Sequence, residues 1–368
     1  MKKYIWPVFV LMGLLACLGL AGCGPEKQPS SASSAVFAQV TDDAGRTVTI
    51  KEKPKRIVVL STSLLNFADA VDGDLAGRAS VRSDAAELPE RYADVPEVGP
   101  VYNVSVEKIM ACQPDLVLAN KNQHEKLIPL LEQNGVPVLA LTTKTYDDVK
   151  RNLALVGTLY GKEDLAQEKI AAMDKEIQAV KEAIPNDHLT IAILHATPSN
   201  VSLELDKSIA GDVARILGFT NVAQDAADTL DGSAEKVPYS MEALVEKDPH
   251  VIFITSMGRS DKIESRLRQD VESSPAWQTL SAVRQKRVYV LPENLFLLNP
   301  GLNYPEAVAY MAKPCIPRSF TDGAALAETA HTARDLCRAG SGRYRPVGHP
   351  GGGFCHIDRS PAVSLCPR

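Results

Sequence analysis

Residues 105–117, SVEKIMACQPDLV, and residues 240–252, SMEALVEKDPHVI, share one pattern at an offset of 135 residues. In each copy a serine precedes a short helical pattern, a glutamate lies in its first turn, and a proline separates it from a buried strand. Serine caps a helix start, the helix dipole favours an acidic residue there, and proline ends a helix. The repeat therefore predicts two related units of helix and strand.

Outside the repeat, short runs rich in β-branched residues alternate with helical patterns from Phe37 onward, which is typical of parallel α/β units. The patterns predict strands at 57–60, 115–118 and 136–141 with a helix at 64–70, then strands at 189–194, 251–254 and 288–290 with a helix at 209–217. We predict an α/β fold of two Rossmann-like lobes with a ligand cleft between them. The N-terminal lobe covers residues 37–161 and the C-terminal lobe covers residues 185–313.

Between the predicted lobes, residues 162–184 carry apolar side chains at spacings of three and four. These are Ala166, Ile170, Met173, Ile177, Val180 and Ile184. Such spacing forms one face of a helix, and at ~1.5 Å per residue one helix of this length reaches across both lobes. We predict a single connecting helix that limits hinge motion; a helix packed within one lobe is the alternative.

The N-terminus has the layout of a bacterial signal peptide, because two lysines precede an apolar run over residues 4–20. The run ends in LAGC at 20–23, which resembles a lipobox, where the chain is cut before the cysteine and its thiol receives a lipid. We expect residues 1–22 to be removed and Cys23 to anchor an extracytoplasmic protein to the cell membrane. The Ser-rich remainder of residues 23–36 predicts a flexible tether. A permanent transmembrane helix is the alternative.

Composition and missing motifs exclude several functions. A net charge of −5 and an aromatic content of 5% disfavour nucleic acid as a partner. The sequence has no Gly-x-Ser-x-Gly, no Gly-x-x-x-x-Gly-Lys and no His-Glu-x-x-His, so we expect no enzyme.

Between Cys23 and Lys313 the only cysteine is Cys112, which we expect in the core. The histidines of this region are scattered, so a metal-ion receptor is a weak alternative.

Further motifs accompany the repeat: PKRIV at 54–58, GD at 211–212 before LG at 217–218, and SPAW at 274–277 leading to RVYV at 287–290. From about Val40 to Lys313 the chain resembles the substrate-binding proteins of ABC importers for siderophores, haem and cobalamin, the class with a helical interlobe connector. The resemblance implies a monomer that binds solute between its lobes and delivers it to a permease with its ATPase. It also implies that Glu107 and Glu242, from the repeat, dock onto the permease. Stabilisation of the two helix starts is the alternative role.

Within this class, LPERY at 88–92 followed by VG at 98–99 is most similar to haem receptors of Gram-positive haem uptake. In those receptors a methionine and a histidine bind the iron, and the matching positions here hold Tyr102 and Met257. Tyrosine serves as an axial ligand in other haem proteins. The resemblance therefore implies haem, and although neither family ligand is retained in type, Tyr102 at the iron with Met257 or His195 as the second contact is our hypothesis. A Tyr102 ring that stacks on a ligand or only packs is the alternative. Because His195 ends a predicted buried strand, a purely structural role is its alternative.

Ligands of open α/β sheets bind at loops that follow the carboxyl ends of the strands. Arg82, Lys121 and Arg259 each lie in such a loop. Their charges suit the propionates of haem, and they suit equally well an anionic ferric siderophore, which is the alternative ligand. Solvated loop charge is their alternative role. Cobalamin is less favoured.

The C-terminal residues 314–368 differ from everything before them, with four cysteines and a Gly-Gly-Gly run but no sustained hydrophobic periodicity. The cysteines lack the Cys-x-x-Cys spacing of a zinc module. We hypothesise a frameshift, because codons for residues 314–320, read from the last base of the Lys313 codon, can encode ALHPEVF, an ending that the resemblance leads us to expect. We then expect a disordered tail without selected function, and the nucleotide sequence tests this.

Overall fold

The structure is a computed structural model that describes residues 36–81, 88–185, 188–229, 234–297 and 300–315. The predicted signal peptide, Cys23, Arg82 and the tail beyond residue 315 lie outside the described residues. Within these ranges no helix is long and apolar enough to cross a membrane.

The N-terminal half contains one parallel sheet and a preceding hairpin. The strands are β1 (Ala38–Thr41), β2 (Thr47–Ile50), β3 (Ile57–Val59), β4 (Gly77–Ser80), β5 (Glu97–Pro100), β6 (Leu116–Asn120) and β7 (Val138–Leu141). The helices are α1 (Thr62–Ala70), α2 (Val106–Ala111), α3 (Lys121–His124), α4 (Ile128–Gln133), α5 (Tyr146–Tyr160) and α6 (Glu163–Glu182). Strands β5, β4, β3, β6 and β7 lie side by side in that order and all run parallel.

The C-terminal half contains a mixed sheet in the order β11, β9, β8, β12, β13, and β10 also pairs with β8. The strands are β8 (Thr190–Ala196), β9 (Val201–Glu204), β10 (Thr220–Asn221), β11 (Lys236–Pro238), β12 (Val251–Ser256) and β13 (Val288–Val290). The helices are α7 (Ile209–Ile216), α8 (Met241–Lys247), α9 (Ser260–Leu267), α10 (Ser281–Arg284), α11 (Glu293–Phe296) and α12 (Tyr304–Ala312). Only β9 runs antiparallel to β8. The predicted α/β class is confirmed.

The two copies of the repeat adopt the same local structure. Ser105 caps α2 by accepting a hydrogen bond from the N–H of Lys108 at 3.2 Å, and Ser240 caps α8 by accepting one from the N–H of Ala243 at 3.3 Å. Each helix leads into a strand, β6 or β12, that is buried except at its last residue and lies next to the central strand of its sheet. The same cap and the same apolar strand pattern thus accompany this unit in both places.

Helix α6 lies between the two sheets in the chain and contributes to a core that both halves share. Its buried residues are Ala166, Ile170, Met173 and Ile177, which are four of those with the helical spacing. They belong to one apolar cluster that also contains Val59 of β3, Ile193 of β8 and Val308 of α12. Two further clusters fill the opposite faces of the sheets, and Cys112 is buried in one of them. The halves are therefore joined by continuous packing as well as by the chain.

Candidate functional site

Four of the predicted ligand-binding residues lie just beyond the carboxyl ends of strands. Tyr102 follows β5 in the N-terminal sheet, and Lys121 follows β6 there. Met257 and Arg259 follow β12 in the C-terminal sheet. Parallel strands end at one edge of their sheet, and such edges are where α/β proteins bind ligands. The structure thus places these side chains at the two edges from which a cleft would be built.

Tyr102 and Met257 are among the few large apolar side chains that the described residues expose, at 79% and 51%. An exposed tyrosine ring or methionine chain gains the free energy of apolar burial only when a ligand or partner covers it. Both side chains are therefore available to a ligand.

The loop that carries Tyr102 is a tight turn. The N–H of Asn103 donates to the carbonyl of Pro100 at 2.8 Å, which places Tyr102 at the third position of the turn. Gly99 enters this turn with φ +118°, and a Cβ atom there would lie 2.9 Å from the carbonyl oxygen of Asn103. Only glycine fits this position without strain. The side chain of Tyr102 is thus presented on a short, defined loop.

A hydrogen bond connects the loop after β12 to the end of β8. The N–H of Met257 donates to the carbonyl of Ala196 at 3.0 Å, which continues the pairing of the two strands by one residue. Gly258 then takes φ +128° against the ring of Pro198. Arg259 forms an exposed ion pair with Asp261 at the start of α9, with the Nη2–Oδ2 distance at 3.1 Å.

His195 differs from the other candidates because it is buried, with 2% of its surface exposed. Its Nδ1 lies 2.9 Å from Oγ1 of Thr255 and 3.0 Å from Oε1 of Glu204. Burial raises the pKa of the Glu204 carboxyl, but hydrogen bonds from His195, Thr255 and Ser208 outweigh this and lower its pKa below the ordinary value. Nδ1 is thus committed to a buried network, and Nε2 is the only ring nitrogen left for a ligand.

The two glutamates of the repeat are exposed and lie in the first turns of α2 and α8. Each helix starts at the edge where the strands of its sheet end, because α2 follows β5 and α8 follows β11, which is parallel to β8. In the part of the chain that the structure describes, neither Glu107 nor Glu242 forms an ion pair. Both carboxylates are free to meet cations of a partner.

The sequence interpretation missed a junction that links the two halves. Oδ2 of Asp212, in α7, accepts hydrogen bonds from the N–H of Tyr146 at 2.8 Å and from the hydroxyl of Tyr304 at 2.6 Å. Lys144 and Glu235 form a further ion pair between the halves at 2.5 Å. The Gly211-Asp212 motif was visible in the sequence, but its partners lie 66 and 92 residues away from Asp212.

A surface groove of about 420 Å³ lies beside this junction, between α5, α6 and α7. Its lining mixes charged and apolar side chains, and Lys150 lies 3.4 Å from Asp174, which also accepts the hydroxyl of Tyr146 at 2.9 Å. Of the predicted ligand-binding residues within the described ranges, none lines this groove.

Known proteins share this architecture. The model of the periplasmic binding protein family matches residues 57–295. The Fe(3+)-citrate-binding protein YfmC of Bacillus subtilis is 27% identical over 84% of this chain and 97% of its own length. The ABC transporter substrate-binding lipoprotein YvrC of the same bacterium is also 27% identical, over 84% of this chain and 96% of its own. The structure of S. aureus IsdE complexed with heme is 21% identical, with a TM-score of 0.61, and the match covers 71% of this chain and 99% of that one.

These matches cover both sheets and the helix between them, and they confirm the resemblance stated from the sequence. The match of the family model begins at β3 and ends within α11. Proteins of this family bind solutes for ABC transporters and catalyse no reaction. The chain therefore belongs to the periplasmic binding protein family and is a solute-binding protein, not an enzyme.

Proposed function

We propose that this protein is the extracytoplasmic solute-binding component of an ABC importer for an iron compound, and that the compound is haem. The observation that carries the proposal is the exposure of Tyr102 and Met257 at the carboxyl edges of the two sheets. Haem is large, planar and mostly apolar, so bound haem covers exposed apolar side chains of this kind. Its ferric iron accepts an oxygen ligand.

In this proposal Tyr102 supplies its phenolate oxygen to the iron from the N-terminal lobe. Met257 covers the other face of the macrocycle with a soft thioether and an apolar chain. His195 is the competing second ligand, because Glu204 and Thr255 hold its Nδ1 in the manner of histidines that bind metals through Nε2. Its burial favours Met257 as the first contact.

A ferric complex of a carboxylate or another siderophore is the second candidate. The name of the relative YfmC supports it, as do the cationic side chains Lys121 and Arg259 at the two edges. Such ligands are anionic, and they are held mainly by charge and hydrogen bonds. Tyr102 would then stack on the ligand rather than bind iron.

Delivery follows from the position of the two docking glutamates. We place the mature protein at the outer face of the cell membrane, held by a lipid on Cys23, as a monomer. Glu107 and Glu242 then contact basic residues of the permease, and the ligand passes into the transport path. The relative YvrC is described as a lipoprotein, which supports the anchor.

An absorbance titration of residues 37–313 with haemin tests the ligand. We expect a saturable Soret shift and a tyrosinate-to-iron charge-transfer band, and we expect Tyr102→Phe to abolish that band and to weaken binding by about tenfold or more. Tyr160→Phe is the matched control, because the Tyr160 hydroxyl donates to the carbonyl of Asp74, before β4 and away from the ligand edge. Separate Met257→Ala and His195→Ala variants identify the second contact.

The same titration with ferric citrate, followed by the fluorescence of Trp277, tests the second candidate. If haemin produces no saturable shift while ferric citrate binds, the haem proposal is wrong and a ferric carboxylate is the ligand. If Tyr102→Phe binds haemin with an unchanged spectrum, Tyr102 is not the iron ligand.

A further inference from the structure

His124, the one histidine in the first half of the sequence, is buried with 1% of its surface exposed. It ends the short helix α3, which follows β6 directly. Neither the sequence pattern nor the proposed mechanism assigns it a role. A buried imidazole needs partners for both ring nitrogens, because an unpaired polar atom in the interior is costly.

Both partners of His124 are backbone groups, and they determine its tautomer. Nδ1 lies 3.1 Å from the N–H of Asn120, so it must accept that hydrogen bond and carry no proton. Nε2 lies 2.7 Å from the carbonyl oxygen of Val101, so it must carry the proton and donate it. The ring therefore bridges the end of β6 to the loop after β5 as a neutral imidazole.

The carbonyl that His124 holds belongs to the residue directly before Tyr102. Val101 and Tyr102 are the two central residues of the turn that the Asn103 N–H to Pro100 carbonyl bond closes. The peptide between Val101 and Tyr102 is therefore constrained by that turn and by the imidazole. Since Tyr102 is 79% exposed, its own ring is not held by surrounding side chains.

We propose that His124 is a positioning residue that orients Tyr102 for ligand binding and links it to the Lys121 segment. This inference rests on the proposed role of Tyr102 in contacting the ligand. His124 touches no ligand itself. It acts by restricting the Tyr102 loop before the ligand arrives, so that less conformational entropy is lost on binding.

The surroundings of His124 favour the neutral imidazole on which this bridge depends. Burial lowers the pKa of His124, and its hydrogen bonds with Val101 and Asn120 oppose that effect only in part. A protonated Nδ1 would point a hydrogen at the N–H of Asn120, and the bridge would break. The bridge is therefore stable at neutral pH.

Two substitutions separate the bridge from simple packing. His124→Phe keeps the size and the flat ring but removes both hydrogen bonds. His124→Gln keeps an amide N–H close to the position of Nε2, so it restores the bond to Val101 and serves as the rescue variant. His250→Phe is the control, because Nδ1 of His250 also accepts from a backbone N–H, that of Thr190, at the opposite edge of the C-terminal sheet.

The first measurement is hydrogen exchange of residues 99–104 in the unliganded protein. We expect the Asn103 amide to exchange at least about tenfold faster in His124→Phe than in wild type, and His124→Gln to recover most of the protection. His250→Phe should leave this loop unchanged. Equal exchange in wild type and His124→Phe overturns the inference, whether or not the protein binds haem.

The second measurement is ligand affinity in a double-mutant cycle with Tyr102→Phe. We expect His124→Phe to weaken haemin binding by about tenfold in the wild-type background and to have almost no effect when Tyr102 is already Phe. An equal loss in both backgrounds means that His124 supports only the general fold and overturns the positioning role. If wild type binds neither haemin nor ferric citrate, the proposed function fails, while the exchange experiment still decides whether His124 orders the loop.

Discussion

His124 and His195 are both buried beside the edges where the strands end, yet their partners give them different properties. Two backbone groups hold His124 neutral. The carboxylate of Glu204 and the hydroxyl of Thr255 hold His195. A sequence pattern reports only that a histidine lies near a strand end, and the partner decides whether it positions a loop or remains available to a metal.

Glu272 provides a pH prediction at the residue scale. Burial raises the pKa of its carboxyl to about 7 from an ordinary value of 4.5; nearby Arg268 lowers it, while Glu264 adds to the increase. A raised pKa means that the folded state binds the proton more tightly, so this stabilisation is complete below pH 4.5 and is lost as the pH rises through about 7.

We expect Glu272→Gln to raise the free energy of unfolding at pH 8 by about 1 kcal/mol, after allowance for solvent screening of a half-buried group, and to change it little at pH 5. Urea unfolding at both pH values measures this. Glu246→Gln, an exposed carboxyl on α8, is the control for the loss of one negative charge. Equal effects of Glu272→Gln at the two pH values contradict the raised pKa.

At the scale of elements, the contact between α5 and α6 depends on a glycine. A Cβ atom on Gly157 would lie 2.6 Å from Cβ of Ala166, well inside van der Waals contact. Where the two helices cross, the backbone of Gly157 therefore packs directly against the methyl group of Ala166. Helical spacing in the sequence identified the face of α6 but not the residue that it meets.

We expect Gly157→Ala to lower the free energy of unfolding by about 1–3 kcal/mol, although alanine favours a helix by ~1 kcal/mol over glycine. Adding Ala166→Gly should recover part of this loss, with a coupling free energy of about 1 kcal/mol in the double-mutant cycle. Chemical unfolding measures all four proteins. Additive effects mean that the two positions do not contact each other.

The junction at Asp212 connects three helices from different parts of the chain: α5, α7 and α12. The hydroxyl of Tyr304 donates to Oδ2 of Asp212 in a fully buried setting, where burial raises the pKa of the phenol. Removing this donor leaves the carboxylate oxygen with one fewer partner in the interior.

We expect Tyr304→Phe to lower the free energy of unfolding by about 1–3 kcal/mol, because a buried charged acceptor loses its donor. Tyr310→Phe on the same helix is the control and should cost less than about 0.5 kcal/mol, since Tyr310 is only partly buried. Denaturant unfolding separates the two variants. Equal losses show that the Asp212 bond adds nothing beyond the loss of a hydroxyl.

For the whole molecule, the shared core limits how the two halves move. Residues from both sheets and from α6 and α12 form one apolar cluster, and the junction at Asp212 adds polar bonds across it. A large opening would separate packed apolar surfaces, which is costly. We therefore expect ligand capture to involve only a slight closure.

We expect the radius of gyration of residues 37–313 to change by less than about 1 Å on ligand binding, against about 19 Å for a compact chain of this size. Small-angle X-ray scattering with and without ligand measures the change. A decrease of several ångströms contradicts the rigid arrangement.

Docking also belongs to the scale of the whole molecule, because Glu107 and Glu242 lie on helices α2 and α8, in different halves of the chain. We expect Glu107→Lys combined with Glu242→Lys to abolish stimulation of the transporter ATPase while leaving ligand affinity within about twofold of wild type. Glu246→Lys, on the same helix as Glu242, is the matched control. A normal ATPase response of the double variant contradicts the docking role.

The sequence by itself determined the α/β class, the duplicated helix and strand unit, and the buried face of α6. These follow from local periodicity and capping, in which the interacting residues lie within a few positions of one another. It also indicated the edges at which Lys121 and Arg259 lie, because a loop that follows a parallel strand starts at the carboxyl edge of its sheet. The antiparallel strand β9 was not predicted, since strand direction depends on which neighbour pairs with it.

Only the tertiary structure decided what the buried polar residues do. His124 meets a carbonyl 23 residues earlier, His195 pairs with Thr255, 60 residues later, and Asp212 bonds to Tyr304, 92 residues later. No local pattern encodes such partners, because they meet only when separate strands and helices pack together. The stability of a buried polar group depends on those partners, so its role was fixed by the fold as a whole.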